Sequence, residues 1–166
     1  MSQYLVSDEA EAEDTQKGKY LTFQLEQVFY GIEIKNVTEI IGIQNITEVP
    51  EMPDFIRGII NLRGNIIPVM DVRLRFKKDF REYNDRTCII VIDIMDISIG
   101  LIVDSVSEVL TIPEEGINPP PEVHNISSRY IKAIGKVDQN VKLILDCEKL
   151  LNDVEVEDLS AVMMSN

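Results

Sequence analysis

The chain has 166 residues, enough for one domain or for two very small domains that share a core. Hydrophobic residues make up 45% of it and no apolar run approaches the roughly 18 residues of a membrane span, so we expect a soluble globular protein without direct membrane insertion. The net charge of −13 repels nucleic acid and anionic lipid surfaces, and it therefore argues against a nucleic-acid partner.

The N-terminal segment is predicted to be a disordered acidic tail. Residues 1–18 contain five acidic residues and almost nothing apolar after Val6, so they cannot bury enough surface to offset the entropy of ordering. The start of the chain also lacks the basic and apolar stretches of a secretory signal. We therefore expect a cytoplasmic protein, in which Cys88 and Cys147 are reduced and buried in apolar strands.

From Lys19 onward, short apolar runs alternate with tight turns, which is typical of β-strands. Turns are predicted at Glu26-Gln27, at Arg63-Gly64 and at Met95-Asp96. The strands that these turns connect are predicted over residues 20–25, 28–34, 56–62, 65–74, 88–94 and 97–103.

A segment of undecided structure comes after the second strand. Val37-Thr38-Glu39-Ile40 fits a single helical turn capped by Asn36, and its β-branched residues fit a continued strand equally well.

The chain contains this pattern twice. The positions from Gly31 to Ile40 recur from Gly100 to Val109 with a displacement of 69, and Ser105 takes the place of Asn36. The hairpin with its Asp71 recurs with a displacement of 75, so that Asp146 is the counterpart of Asp71, and the difference is a loop insertion. We predict an all-β fold of two small five-stranded barrels related by an approximate twofold axis, with copies at roughly 19–84 and 85–150.

A helix is predicted at the C-terminal end. Asp146 is a suitable cap, and apolar residues continue one face of the helix as far as Val162 and Met163. We expect this segment, including a helical tail over residues 153–166, to cover an edge or an end of a barrel.

Basic residues are concentrated in the middle of the acidic chain. Eight of the sixteen lysines and arginines lie between Arg57 and Arg86. Such a region is suited to an acidic partner protein, but a solvated strand edge kept monomeric by charge has the same composition. The sequence leaves both interpretations open.

Residues that could carry chemistry are few. His124 is the only histidine and has no partner at metal-ligand spacing, and no phosphate-binding loop or nucleophile motif is present. Asp71 and Asp146 are more simply explained as residues that end a strand and cap the next segment. The sequence therefore predicts no enzymatic activity, no metal site and no cofactor.

Taken together, the motifs resemble the CheW family of bacterial chemotaxis coupling proteins over about residues 19–152. One departure is Ala133, where the family often has glycine. The motifs that carry the resemblance are, in chain order, Tyr30-Gly31-Ile32, Val37-Thr38-Glu39-Ile40, Phe55-Ile56-Arg57-Gly58, Asn61-Leu62-Arg63-Gly64, Ile67-Pro68-Val69 with Asp71-Val72-Arg73, Gly100-Leu101-Ile102-Val103-Asp104, Val106-Ser107-Glu108-Val109-Leu110 and Pro119-Pro120-Pro121-Glu122.

The resemblance implies two intertwined SH3-like barrels, no catalysis and two protein partners. These are the cytoplasmic tip of a methyl-accepting chemoreceptor and the regulatory domain of the histidine kinase CheA, which recruit the chain to membrane-associated receptor arrays. No individual kinase contact is carried over. The positions that the resemblance assigns to receptor coupling are Val37, Glu39, Gly58, Arg63, Val106 and Val109.

Other interpretations of the same residues remain. Val37 and Val106 could be ordinary core residues, and Arg63 could be a solvated turn residue. At the level of the whole chain, the alternatives are the coupling half of a CheV-like or non-chemotaxis signalling scaffold, a small nucleic-acid-binding barrel, and an enzyme with an unfamiliar site. The charge and the absence of Trp argue against a nucleic-acid module.

Overall fold

The computed structural model describes residues 16–120 and 127–151, with side chains described except at 127 and 128. Most of these residues lie in strands, and two short helices, α1 (Val72–Arg75) and α2 (Cys147–Leu150), each come directly after a strand. The strands are β1 (Lys19–Leu25), β2 (Val28–Glu33), β3 (Val37–Gly42), β4 (Ile56–Leu62), β5 (Asn65–Asp71), β6 (Cys88–Ile94), β7 (Ile97–Val103), β8 (Ser105–Thr111), β9 (Ile117–Asn118), β10 (Ile131–Val137) and β11 (Asn140–Leu145).

The strands form two sheets, and each sheet takes strands from both sequence copies. One has the order β3-β6-β7-β5-β4 and the other the order β8-β1-β2-β11-β10-β9; we refer to them as the β3 barrel and the β8 barrel. The predicted all-β fold of two intertwined barrels with a short C-terminal helix is thus confirmed. The boundary between the copies at residues 84 and 85 stays a prediction, because neither copy makes a barrel from its own strands alone.

The two barrels close in related ways, but the β8 barrel has one strand more than predicted. In the β3 barrel, Thr47 and Ile59 exchange two backbone hydrogen bonds of 2.9 Å. In the β8 barrel, the matching contact is the two-residue strand β9, which pairs with β10 at Ile134 and Gly135. The same contact is an isolated bridge in the β3 barrel and a two-residue ladder in the β8 barrel, which accounts for the sixth strand.

Strand register supports the predicted twofold relationship. Gly31 lies opposite Thr22 on one side and Ile144 on the other. Gly100 lies opposite Val91 and Val69, which are the displaced counterparts of those two residues. The two glycines therefore occupy equivalent strands, as the repeat predicts.

The two aspartates are equivalent as well, and each caps a helix. The Asp71 backbone N–H donates to the carbonyl of Phe55, and its carboxylate accepts from the N–H of Leu74. Asp146 makes the matching hydrogen bonds with Tyr130 and Lys149. Both carboxylates therefore have the structural role that the sequence favoured over an acid pair.

The barrels share one hydrophobic core. A row of four aromatic rings, Phe23, Tyr30, Phe76 and Tyr130, runs through it with centroid separations of 5.6, 5.5 and 5.6 Å. Phe23 lies on β1 and Tyr30 on β2, whereas Phe76 directly follows α1 and Tyr130 directly precedes β10. Since both copies supply rings to the row, the barrels are packed as one unit.

The local predictions for turns and short segments agree with the structure in most places. The predicted hairpin turns at residues 26–27, 63–64 and 95–96 are confirmed. The undecided segment is a strand in both copies, β3 and β8, and is preceded in copy one by a 3-10 turn over Ile34–Asn36. Cys147 is buried, whereas Cys88 is only half-buried.

Some predictions lie outside the described residues. These are most of the N-terminal tail (1–15), His124, and the C-terminal helix beyond residue 151. Within residues 16–120 and 127–151, no helix is long and apolar enough to cross a membrane.

Candidate partner-binding site

The β4–β5 hairpin presents Arg63 on a tight turn. Both turn residues have positive φ, 53° at Arg63 and 88° at Gly64, which is the geometry that suits a two-residue hairpin. The Gly64 N–H donates to the Asn61 side-chain oxygen at 2.8 Å and closes the turn. The Arg63 side chain is 70% exposed, so this residue is held at the surface by the local sequence Asn61-Leu62-Arg63-Gly64.

Arg63 is paired with Glu39, a second residue that the family resemblance assigns to the site. Its Nη2 donates to both carboxylate oxygens of Glu39 at 2.5 Å. These hydrogen bonds and the opposite charge raise the pKa of the Arg63 guanidinium above its ordinary value. Both hydrogen bonds use Nη2, so Nε and Nη1 have no acceptor among the described residues and remain available to a partner.

β3 also carries two apolar residues, Val37 and Ile40, which come before and after Glu39 in the chain. Val37 is half-buried and packs against the shared core, so it contributes only part of its surface. Ile40 points outward and is 42% exposed. Ile40 is not among the site residues predicted from the sequence, although its repeat counterpart Val109 is, and that correspondence is the signal that identifies it.

Gly58 is not a surface contact. It is buried on β4 with φ of 142°, and a Cβ at this position would lie 2.0 Å from the carbonyl oxygen of Thr47. The absence of a side chain lets β4 approach Thr47, in the chain after β3, and close the barrel. Any role of Gly58 in coupling is therefore indirect and acts through the shape of the barrel.

Val106 and Val109 lie in the other barrel, on β8. Val106 packs against the shared core as Val37 does, and Val109 is 50% exposed. The structure thus joins Glu39 and Arg63 directly, and it brings Val37 and Val106 to the same core cluster. Val109 lies in the β8 barrel, whereas the Glu39–Arg63 pair lies in the β3 barrel.

The ion pair exists at only one end of the twofold arrangement. The counterpart of Glu39 is Glu108, and the counterpart of Arg63 is Asp138, which occupies the same turn position with φ of 56°. Two carboxylates at these equivalent positions cannot form a matching pair. The β3 and β8 barrels therefore present different charges at their equivalent turns.

The basic region of the sequence is divided by the fold. Arg73 is buried and donates from Nε and Nη2 to Asp104 at 2.6 Å, and from Nη1 to Glu26 at 3.2 Å. Arg75 is also buried. These two arginines therefore belong neither to a surface for an acidic partner nor to a solvated strand edge. Both arginines stabilise the junction between the barrels.

The contacts at this junction favour the charged forms of Arg73 and Asp104. The hydrogen bond with Asp104 raises the pKa of Arg73. Burial opposes ionisation of Asp104, but hydrogen bonds from Arg73 and from the Glu26 backbone N–H outweigh it, and the pKa of Asp104 is below its ordinary value.

The Cys147 thiol lies in an environment that disfavours reactivity. Burial raises the pKa of the Cys147 thiol to about 12, which disfavours the nucleophilic thiolate. Among residues 16–120 and 127–151, no group of three His, Cys, Asp or Glu residues is placed to hold a metal ion.

Comparison with known proteins provides an independent line of evidence. Residues 19–155 match the family model of the CheW-like domain. The chain is similar to the chemotaxis protein CheW of Klebsiella aerogenes, with 36% identity over 146 residues that cover 87% of this chain and 88% of the relative. It is also similar to the chemotaxis protein CheW of Bacillus subtilis, with 35% identity, 81% of this chain and 86% of the relative.

A solved structure agrees with these sequence relatives. The crystal structure of the scaffolding protein TtCheW from Thermoanaerobacter tengcongensis matches with a TM-score of 0.77 and 39% identity. The match covers 83% of this chain and 94% of that chain.

Proposed function

Because this chain belongs to the CheW-like domain family, we propose that it is a chemotaxis adaptor that holds a chemoreceptor and the histidine kinase CheA in one signalling assembly. The assembly forms in the cytoplasm at membrane-associated receptor arrays, to which the chain is recruited by its partners. The coupling is physical and involves no turnover. In support, Asp71 and Asp146, the two carboxylates that could have formed an acid pair, instead cap α1 and α2.

One observation carries the receptor site. A largely exposed arginine is fixed on a hairpin turn by Glu39 on β3, and Ile40, the next residue of that strand, is exposed. A receptor tip is a helical hairpin, and such a partner docks its apolar face against exposed apolar side chains while charges at the rim set the register. Arg63, Glu39 and Ile40 supply both kinds of contact.

The β8 barrel contributes a second part of the proposed receptor surface. Val106 and the exposed Val109 lie on the strand equivalent to β3. Because this end has Asp138 in place of Arg63, we assign the charged contact to the β3 barrel alone. The regulatory domain of the kinase binds elsewhere, and no residues are assigned to it.

The experiment is a charge reversal with a matched control at the equivalent turn. Affinity for a soluble cytoplasmic-tip fragment of a chemoreceptor is measured for the unmodified chain, for Arg63→Glu and for Asp138→Arg. We expect Arg63→Glu to weaken binding by at least about tenfold, which corresponds to about 1.4 kcal/mol. Asp138→Arg should bind as the unmodified chain does.

Thermal unfolding of the same variants separates binding from folding. Both changes are at exposed turn positions, so each should shift the free energy of unfolding by no more than about 0.5 kcal/mol. Unimpaired binding by Arg63→Glu would show that Arg63 is only a solvated turn residue, and the site assignment would be wrong.

A further inference from the structure

A cationic pocket lies at the junction of the two barrels, away from the Glu39–Arg63 pair. It has a volume of about 430 Å³, and four of its lining residues are basic: Arg75, Lys77, Lys78 and Arg129. Asp54 is the only acidic residue among the described residues that line it. In a chain of net charge −13, such a concentration of positive charge is unexpected.

Aromatic rings form the floor of this pocket and hold two of the cations. The Arg75 guanidinium lies 4.6 Å from the ring centre of Phe55 and 4.7 Å from that of Tyr130. Arg129 lies 5.1 Å from the Tyr130 ring and donates to its hydroxyl at 2.9 Å. Phe55 and Tyr130 are repeat counterparts, so the pocket lies where the two copies meet.

The other cations are only partly neutralised. Lys78 approaches Glu26 at 3.7 Å. Neither Lys77 nor Arg129 has a carboxylate within 4 Å in the described part of the chain. The pocket therefore offers positive charge to an acidic ligand.

The C-terminal segment of the chain starts beside this pocket. Arg75 Nε donates to the carbonyl of Leu150 at 3.0 Å, which fixes the end of α2 against one wall. Residues 152–166 include Asp153, Glu155, Glu157 and Asp158 and no lysine or arginine. An extended chain advances at most about 3.3–3.6 Å per residue, so Asp153 reaches about 10 Å from Leu150 and the subsequent acids reach further.

We propose that residues 153–158 of this chain dock into the cationic pocket, with their carboxylates on Lys77, Lys78 and Arg129 and their valines against Phe55 and Tyr130. The segment is covalently attached beside the pocket, so its effective concentration there is about millimolar. The interaction is therefore intramolecular and competes with acidic segments of partner proteins for the same surface.

The test uses zero-length carbodiimide cross-linking of the full chain, which joins a lysine amine to a carboxylate in contact with it. Cross-linked peptides are identified by mass spectrometry in an equal mixture of ¹⁵N-labelled and unlabelled chains. The ion pair of Lys132 with Glu33 provides an internal control, because it joins two described residues on different strands. We expect Lys77 and Lys78 to be linked to acids at 153–158, with both peptides carrying the same isotope.

Two outcomes would overturn the proposal. One is the absence of these links when the Lys132–Glu33 link forms, and the other is mixed-isotope links, which would show that a second copy supplies the segment. A pair of variants tests the role of the pocket charges. Arg129→Glu should reduce the Lys77 links several-fold, whereas Arg86→Glu, an exposed arginine outside the pocket, should leave them unchanged. Equal yields in both variants would contradict docking by charge.

Discussion

Gly58 and Gly64 lie six residues apart around the β4–β5 hairpin, and both have positive φ, but their surroundings differ. A Cβ on Gly58 would overlap the backbone of Thr47, whereas a Cβ on Gly64 would meet nothing within 4 Å. Gly58 therefore permits closure of the barrel, and Gly64 only permits the turn that presents Arg63. A sequence motif that contains both glycines does not distinguish these two roles.

The difference predicts unequal effects of alanine at the two positions. Gly64→Ala should cost about 1 kcal/mol, because only the unfavourable backbone conformation opposes it. Gly58→Ala should cost about 3 kcal/mol or more, since β4 must also move away from Thr47. Denaturant unfolding of both variants measures these costs. Equal costs would show that the approach of β4 to Thr47 does not constrain the barrel.

Ile40 and Val109 allow a comparison of exposed apolar residues at equivalent strand positions. Ile40→Ser should weaken binding of a receptor-tip fragment several-fold and change the free energy of unfolding by less than about 1 kcal/mol, because the side chain is largely exposed already. Val109→Ser is the matched variant in the β8 barrel. Titration with the receptor fragment measures both, and unchanged affinity in the Ile40 variant would remove Ile40 from the proposed contact surface.

At the level of elements, the connection between the barrels depends on the β1–β2 turn, the β7–β8 junction and α1. Glu26, Asp104 and Arg73 supply one charged side chain from each of these elements. Burial reduces the solvent screening of the pair of Arg73 and Asp104 at a cost in desolvation, and it makes the loss of one partner costly. The elements are therefore held at a fixed relative position by a small polar network.

This network predicts the behaviour of the chain in acid. The pKa of Asp104 is lowered in the folded state, so its contribution to stability is complete above the ordinary carboxyl value of 3.8 and is lost as the pH falls below it toward the folded-state pKa. Asp104→Asn should reduce the free energy of unfolding by about 1 to 3 kcal/mol at pH 7. The variant should lose less stability than the unmodified chain when the pH is lowered to 3.

Asp96→Asn is the control for this prediction. Asp96 occupies a hairpin turn with φ of 63°, a conformation that asparagine adopts as readily. The free energy of unfolding of the Asp96→Asn variant should therefore differ from that of the unmodified chain by less than about 0.5 kcal/mol. Urea unfolding at pH 7 and pH 3 measures both variants. A loss of stability at pH 7 that is no larger for Asp104→Asn than for Asp96→Asn would contradict the role assigned to the network.

For the whole molecule, the strand pattern and the internal repeat predicted most of the architecture. Alternating apolar residues and the residues at 26–27, 63–64 and 95–96 located the hairpins, since strand period and turn chemistry are local properties. The repeat displacements identified equivalent residues such as Gly31 and Gly100. Strand pattern alone did not indicate that β3 pairs with β6, or that β8 pairs with β1, and the intertwining came from the family resemblance.

The features that the sequence could not predict depend on residues distant in the chain. Arg63 meets Glu39 across 24 positions, and Arg73 meets Asp104 across 31. In the sequence, both arginines belong to one basic region, although Arg63 is exposed and Arg73 is buried. Only the folded arrangement separates an arginine that can reach a partner from one that joins the barrels.

The most direct test of the central claim is co-sedimentation of the kinase CheA with membrane vesicles that display the cytoplasmic region of a chemoreceptor. We predict that the kinase sediments when the unmodified chain or Asp138→Arg is present and remains in solution with Arg63→Glu, while Arg63→Glu still binds the kinase in the absence of receptor. Full sedimentation of the kinase without the chain, or with Arg63→Glu, would contradict the account.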